Sequence, residues 1–166
     1  MKKALFILIC LIVSQLGMAQ YAPAGDSLKT RWASDITPEN VWQEYPRPQM
    51  LRYEKDLNIL NWLNLNGLWD YAIRPKGEHD VAEFDGKILV PFCVESSLSG
   101  VQKYVGKDNE LWYQREFNIP KSWRGKRVLL HFGAVDWECD VWVNGIKVGS
   151  HTGGYTPFTF DITQAV

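Results

Sequence analysis

The chain has 166 residues, 18 basic and 19 acidic side chains and a net charge of −1, with 46% hydrophobic and 13% aromatic content. Nearly balanced charge without a basic run leaves nothing to follow a phosphate backbone, which excludes nucleic acid as a partner. The histidines (His79, His131 and His151) and three cysteines are scattered without metal-ligand spacing, so no metal and no other cofactor is expected.

Residues 1–19 carry Lys2 and Lys3, an apolar run from Ala4 to Val13, and then Gly17-Met18-Ala19. That is the charge, core and small-residue order of a secretory signal, cut after Ala19, which predicts a secreted or periplasmic protein. The apolar run is too short for a bilayer, which needs about 20 helical residues, so no membrane attachment is expected after cleavage. Cys10 lies inside the run and follows bulky Ile9, which argues against a lipid anchor. Cleavage leaves 147 residues, the size of one domain, with 16 basic against 19 acidic side chains. Cys93 and Cys139 survive; two buried free thiols are the first expectation and a disulfide the second.

Residues 20–58 have few apolar alternations and carry Pro23, Pro38, Pro46 and Pro48. They read as an extended lead-in packed on the domain, since Trp32, Trp42 and Tyr45 need cover. One short helical turn is expected from Thr37-Pro38-Glu39.

Strand signals fill residues 59–166. "LWDYAI" (68–73) and "KILVPF" (87–92) are β-rich runs between loops. "LWYQREFNIP" (111–120) alternates, with Leu111, Tyr113, Arg115, Phe117 and Ile119 on one face. "KRVLLHFGAV" (126–135) follows, and in "WECDVWVNGIKVGSH" (137–151) Asn144-Gly145 between two alternating runs predicts a hairpin. Phe158 and Phe160 alternate with Thr159 and Asp161 in a last strand after the Gly153-Gly154 pair. No segment shows a helical period over three turns. The fold class is therefore all-β, a sandwich or barrel. The sequence stops inside this strand region, so the domain is expected to be incomplete, to lack its last strands and to fold poorly alone.

Glycoside cleavage needs two carboxyl groups placed on either side of a sugar. Asp136, Glu138 and Asp140 alternate with Val135, Trp137, Cys139 and Val141, so the acids stand in one row on a solvated face. There is no Gly-x-Ser-x-Gly elbow, and no glycine cluster matches a phosphate loop. No catalytic residue is assigned. Arg115 interrupts an apolar face and needs a partner, for which Asp161 is preferred to Asp136. Arg115, Asp161, Asn144 and Gly145 are read as structural.

Taken in order, "LNGLWDYAI", "ILVPFCVES" and "LWYQREFNIPKSWRGKRVLLHFGAVDWECDVWVNGIKVGSHTGGYTPFTFDIT" resemble the N-terminal sugar-binding domain of family-two glycoside hydrolases. That family contains β-galactosidases, β-mannosidases and β-glucuronidases, and the resemblance runs from about Trp62 to Thr163. It implies an antiparallel jelly-roll β-sandwich of the galactose-binding type. An immunoglobulin-like domain and a TIM barrel carrying two catalytic glutamates would follow it. It also implies substrate contacts from the loop after "ILVPF", with Glu95, and from "HTGGY", with His151, Gly153 and Tyr155. Where lactose-cleaving members offer an asparagine and an aspartate, this chain has Cys93 and Gly153, and "HTGGYTPF" is closer to the glucuronidase version. The function implied is a non-catalytic sugar-binding part of a secreted hydrolase of β-linked sugars, with carbohydrate as partner. The alternative is a free-standing carbohydrate-binding module using exposed aromatics such as Trp112 or Trp142.

Overall fold

The computed structural model describes residues 21–25, 28–41, 53–54, 59–78 and 81–166. The expected signal (1–19), Trp42, Tyr45, Pro46, Pro48 and His79 lie outside the described residues. Among the described residues nine strands run in chain order: β1 (Tyr53–Glu54), β2 (Ile59–Leu60), β3 (Gly67–Pro75), β4 (Gly86–Val90), β5 (Asn109–Gln114), β6 (Leu129–Phe132), β7 (Glu138–Val143), β8 (Ile146–Thr152) and β9 (Phe158–Asp161). Every pairing is antiparallel. Helical geometry among the described residues is confined to short 3-10 turns. The chain divides into two compact units, one built from residues 1–43 and 66–115, the other from 44–65 and 116–166.

In the first unit β3 is the central strand of a three-stranded sheet, order β4-β3-β5. The register opposes Trp69 to Ile88, Tyr71 to Tyr113 and Ile73 to Leu111. Period-two alternation therefore puts Trp69, Tyr71, Ile73, Ile88, Val90, Leu111 and Tyr113 on one face, and Leu68, Ala72, Leu89 and Trp112 on the other, where Ala72 and Leu89 are fully buried. On the first face Tyr71, Ile88 and Val94 form a buried cluster, with Trp69, Ile73, Val90, Val101, Val105 and Leu111 packed around it. Fully burying a side chain such as Ile88 is worth about 1.5–3 kcal/mol. Opposite charges meet where Lys87 faces Asp70 at 2.7 Å.

Ahead of this sheet, the turn expected at Thr37 forms. The amides of Asn40 and Val41 donate to the Thr37 carbonyl at 3.2 and 3.1 Å. The cap is reciprocal: the Thr37 amide donates to Asn40 Oδ1 at 2.8 Å, and the Glu39 amide donates to Thr37 Oγ1 at 3.3 Å.

The run 111–120 is a strand only as far as Gln114. Beyond it, the Arg115 guanidinium donates to the carbonyls of Asn66 and Leu68 at 3.1 and 3.4 Å, so a side chain stands where the ladder would have continued. Gly67 makes room for it, because a Cβ there would lie 2.9 Å from Arg115 Nη1. Burial holds the Arg115 pKa below its usual value.

The second unit contains the pairs β1-β2, β6-β9 and β7-β8. The expected hairpin is present, with its turn at Asn144 (φ 49°) and Gly145 (φ 78°), the two positive φ values that such a turn demands. β6 is shorter than its sequence run and pairs Leu129 with Asp161 and Phe132 with Phe158. That register sets Arg127 beside Asp161, which it binds through Nε at 3.0 Å and Nη2 at 2.9 Å. The other carboxylate oxygen of Asp161 accepts from the Thr163 amide and hydroxyl at 3.0 and 2.5 Å. The expected Arg115–Asp161 pair is thus replaced: Asp161 is held by Arg127 and Thr163, both within its own unit.

Candidate functional site

The β7-β8 hairpin has two ends, and the candidate site is the one opposite the Asn144-Gly145 turn. There Glu138 pairs with Thr152, and the Gly153 amide closes the ladder by donating to the Trp137 carbonyl at 2.6 Å. Gly153 sits at φ +126°, a conformation that side chains resist, so the chain can leave β8 sharply at this point. Gly154 lies against Asp136, with room for no side chain between them. Two loops, 133–137 and 153–157, therefore run together and, with Glu138 at the start of β7, present Asp136, Trp137 and Tyr155 to solvent. Trp137 is 65% exposed and Tyr155 96% exposed.

His151 anchors this corner rather than reaching out of it. Its ring stacks on Phe158 with centroids 4.1 Å apart, and its Nε2 lies 3.1 Å from Thr156 Oγ1 and 3.3 Å from the Gly153 carbonyl. Phe158 stacks in turn on Phe132 at 4.8 Å and meets the edge of Phe160 at 5.5 Å. Of the residues expected at the site, His151, Gly153 and Tyr155 are thus brought together. Only Tyr155 offers an open ring.

Glu95 belongs to the other unit. It is exposed on a loop wound by serines, in which Ser99 Oγ donates to the Val94 and Ser96 carbonyls at 3.1 and 2.7 Å. Its charge reaches Tyr113, whose pKa is pushed up to about 12 by burial first, then by Glu95 and Cys93. Cys93 is exposed, which corrects the expectation of a buried thiol; Cys139 is half-buried, and both thiols are free. Burial raises the Cys139 pKa.

Of the row of acids, Asp140 is tied to Lys147 at 2.8 Å and accepts from Ser150 Oγ at 2.5 Å. Asp136 and Glu138 have no cationic partner among the described residues. The row does face solvent, as the alternation of β7 requires. Trp137 departs from it. Alternation assigns it to the covered face with Cys139, but β7 begins one residue later, at Glu138, and Trp137 is free of the pleat. Trp142, on β7 itself, is 45% exposed, whereas Trp112 is half-buried. Among the described residues no group of three or more His, Cys, Asp or Glu side chains is placed to hold a metal ion, and no helix is long and apolar enough to cross a membrane. What the corner offers chemically is flat aromatic surface beside hydrogen-bond acceptors.

Residues 101–166 match the family described as glycosyl hydrolases family 2, sugar binding domain. The chain is 31% identical over 126 residues to a β-glucuronidase of Paenibacillus borealis, covering 72% of this chain and 20% of that protein. It is 40% identical over 143 residues to the β-glucuronidase of Canis lupus familiaris, covering 74% and 20%. Among solved structures, the Faecalibacterium prausnitzii β-glucuronidase superposes with a TM-score of 0.50 at 31% identity, over 61% of this chain and 18% of that one. The chain spans about a fifth of the length of the curated relatives it matches. With the all-antiparallel pairing, the likeness establishes the fold as the jelly-roll β-sandwich of these N-terminal domains.

Proposed function

The chain carries the N-terminal sugar-binding domain of the family-two glycoside hydrolases, and from that premise we propose that it is the non-catalytic part of a secreted β-glycosidase, β-glucuronides being its first candidate substrates. The observation that carries this reading is the 40% identity over 143 residues to a mammalian β-glucuronidase. The geometry agrees with a binding role: Glu138 and Asp140 face solvent from one side of β7 with Asp136 just ahead of them, whereas cleavage by double displacement needs a carboxylic acid and a nucleophile on opposing sides of the bond, about 5–5.5 Å apart. On this reading both are supplied outside the chain, as is most of the contact with the sugar. Residues 1–19 direct export and are cut after Ala19, the lead-in 20–58 packs on the domain, and residues 59–166 belong to the sandwich.

The test uses chromogenic β-glucuronide, β-galactoside and β-mannoside substrates with two proteins, this chain and the complete product of the gene that encodes it. Turnover of the glucuronide by the complete product, with none by the chain, is the expected result. Turnover by the chain that is abolished by Asp136→Asn or Glu138→Gln would sink the non-catalytic reading. A complete product that binds glycans without cleaving any would favour the free-standing module instead. Export is checked by N-terminal sequencing of protein from the medium or periplasm, where a start at Gln20 is expected.

A further inference from the structure

We propose that Trp137 and Tyr155 form a stacking surface for a neutral pyranose, with Asp136 and Glu138 accepting hydrogen bonds from its hydroxyls. The inference rests on the reading of this domain as sugar-binding and assigns that activity to one place. Four observations carry it. Trp137 and Tyr155 are among the most exposed large aromatics of the second unit, at 65% and 96%. The backbone hydrogen bond from Gly153 to Trp137 brings their two loops together, and the close seat of Asp136 on Gly154 sets a carboxylate against the loop that carries Tyr155. The loop that carries Tyr155 is held at both ends by the His151–Phe158 stack and the contact of His151 with Thr156. Finally, Asp136 and Glu138 are exposed without a cationic partner among the described residues, in contrast to Asp140 on the same row, which Lys147 and Ser150 occupy.

The chemistry selects the occupant. A pyranose presents a face of C–H groups, weakly positive, that suits the negative face of an indole or phenol ring. Its hydroxyls are donors for which a carboxylate is a strong acceptor. A uronic acid or sulfated sugar brings a negative charge towards two carboxylates with no cation to offset it. The surface therefore takes a neutral sugar residue and discriminates against an acidic one, so that any uronate of a substrate is read elsewhere.

The measurement is NMR of the complete gene product, ¹⁵N-labelled at its tryptophans, following the indole Nε1–H of Trp137 during titration with the hydrolysis-resistant methyl 1-thio-β-D-glucopyranoside or methyl 1-thio-β-D-glucuronide. These probes differ only in the carboxylate. The Trp137 resonance should shift with the neutral glycoside, and the glucuronide should bind about tenfold more weakly, the size of two like-charge repulsions across about 6 Å of water. Asp136→Asn with Glu138→Gln should remove that difference. Trp137→Ala with Tyr155→Ala should abolish binding while the indole signals of Trp62 and Trp142, in the same unit, stay in place, which shows that its fold is retained. A Trp137 signal unmoved by the neutral glycoside, equal binding of both probes, or binding that survives the double aromatic replacement would overturn the proposal. Hydrolysis by the complete gene product is a separate readout. If it persists while Trp137 stays silent, the family function stands and this surface alone is refuted.

Discussion

Gly154 lies so close to Asp136 that a Cβ added there would stand 3.0 Å from the Asp136 Cγ and 3.3 Å from its Cβ. The contact joins the two loops of the candidate site through a position where a side chain fits only if Asp136 moves aside. Asp136 is exposed and can swing outward, so Gly154→Ala is expected to cost no more than about 1 kcal/mol of stability. Gly153→Ala should cost more, about 1–3 kcal/mol, because its φ of +126° is closed to a side chain whatever the space. Urea unfolding of the two variants checks the order. Adding Asp136→Ala should relieve part of the Gly154→Ala loss and none of the Gly153→Ala loss.

Asp161 titrates far below an ordinary carboxylate, at about 2, chiefly through the Thr163 hydroxyl, then the Thr163 amide, then Arg127. A folded pKa below the unfolded value of about 3.9 means that its contribution is fully present above pH 4 and is lost as pH falls towards 2. The Thr163 amide shift, followed by NMR, should report a midpoint near 2. Thr163→Val should raise that midpoint more than Arg127→Ala does. The reverse order would show that the ion pair, rather than the hydroxyl, sets the acidity.

These residues also mark where the sequence is legible. The hairpin could be read because Asn144-Gly145 supplies the two positive φ values its turn needs, between runs that alternate. The sheet of β3, β4 and β5 could be read because 68–73 and 87–92 are short β-rich runs between loops and 111–114 alternates. The end of β5 could not, since it depends on Arg115 reaching the carbonyls of Asn66 and Leu68, 49 and 47 residues away. The partner of Asp161 was equally hidden. Arg127 reaches it only through the register that sets Leu129 against Asp161, while Arg115, alone on an apolar face, drew attention instead. At the candidate site the glycine pair pointed to the 153–157 loop. Trp137 was assigned to the wrong face because alternation cannot say at which residue a strand begins.

Tyr113 offers a test of the Glu95 loop. Its pKa of about 12 is raised by burial first, with Glu95 and Cys93 adding to it. A folded pKa above the unfolded value of about 10 contributes stability that is complete below pH 10 and fades as pH rises towards 12. In the titration followed at the phenolate absorbance, the last tyrosine to ionise before unfolding should be lost in Tyr113→Phe. Glu95→Gln should lower its midpoint while leaving it above 10, since burial is the larger cause. An unchanged midpoint would place Glu95 away from the ring.

Gly149 and Gly145, four residues apart on one hairpin, should both resist alanine for unlike reasons. At Gly149 a Cβ would fall 2.7 Å from Cδ1 and Cζ of Phe160, and nearer still to Cε1. Phe160 has little freedom to retreat, because it abuts Phe158, which is stacked with both Phe132 and His151. Overpacking of this kind costs about 1–3 kcal/mol. Gly145 has open space around it but sits at φ +78°, so its cost is backbone strain of about 1–2 kcal/mol. Chemical denaturation alone does not separate the two, but a second substitution does. Phe160→Leu removes ring atoms that the new methyl would strike, so Gly149→Ala should be less damaging in that background than in the parent. Gly145→Ala should lose the same amount in both. If the Gly149→Ala cost is unchanged by Phe160→Leu, the ring is not what excludes a side chain there, and the packing of β8 on β9 must be redrawn.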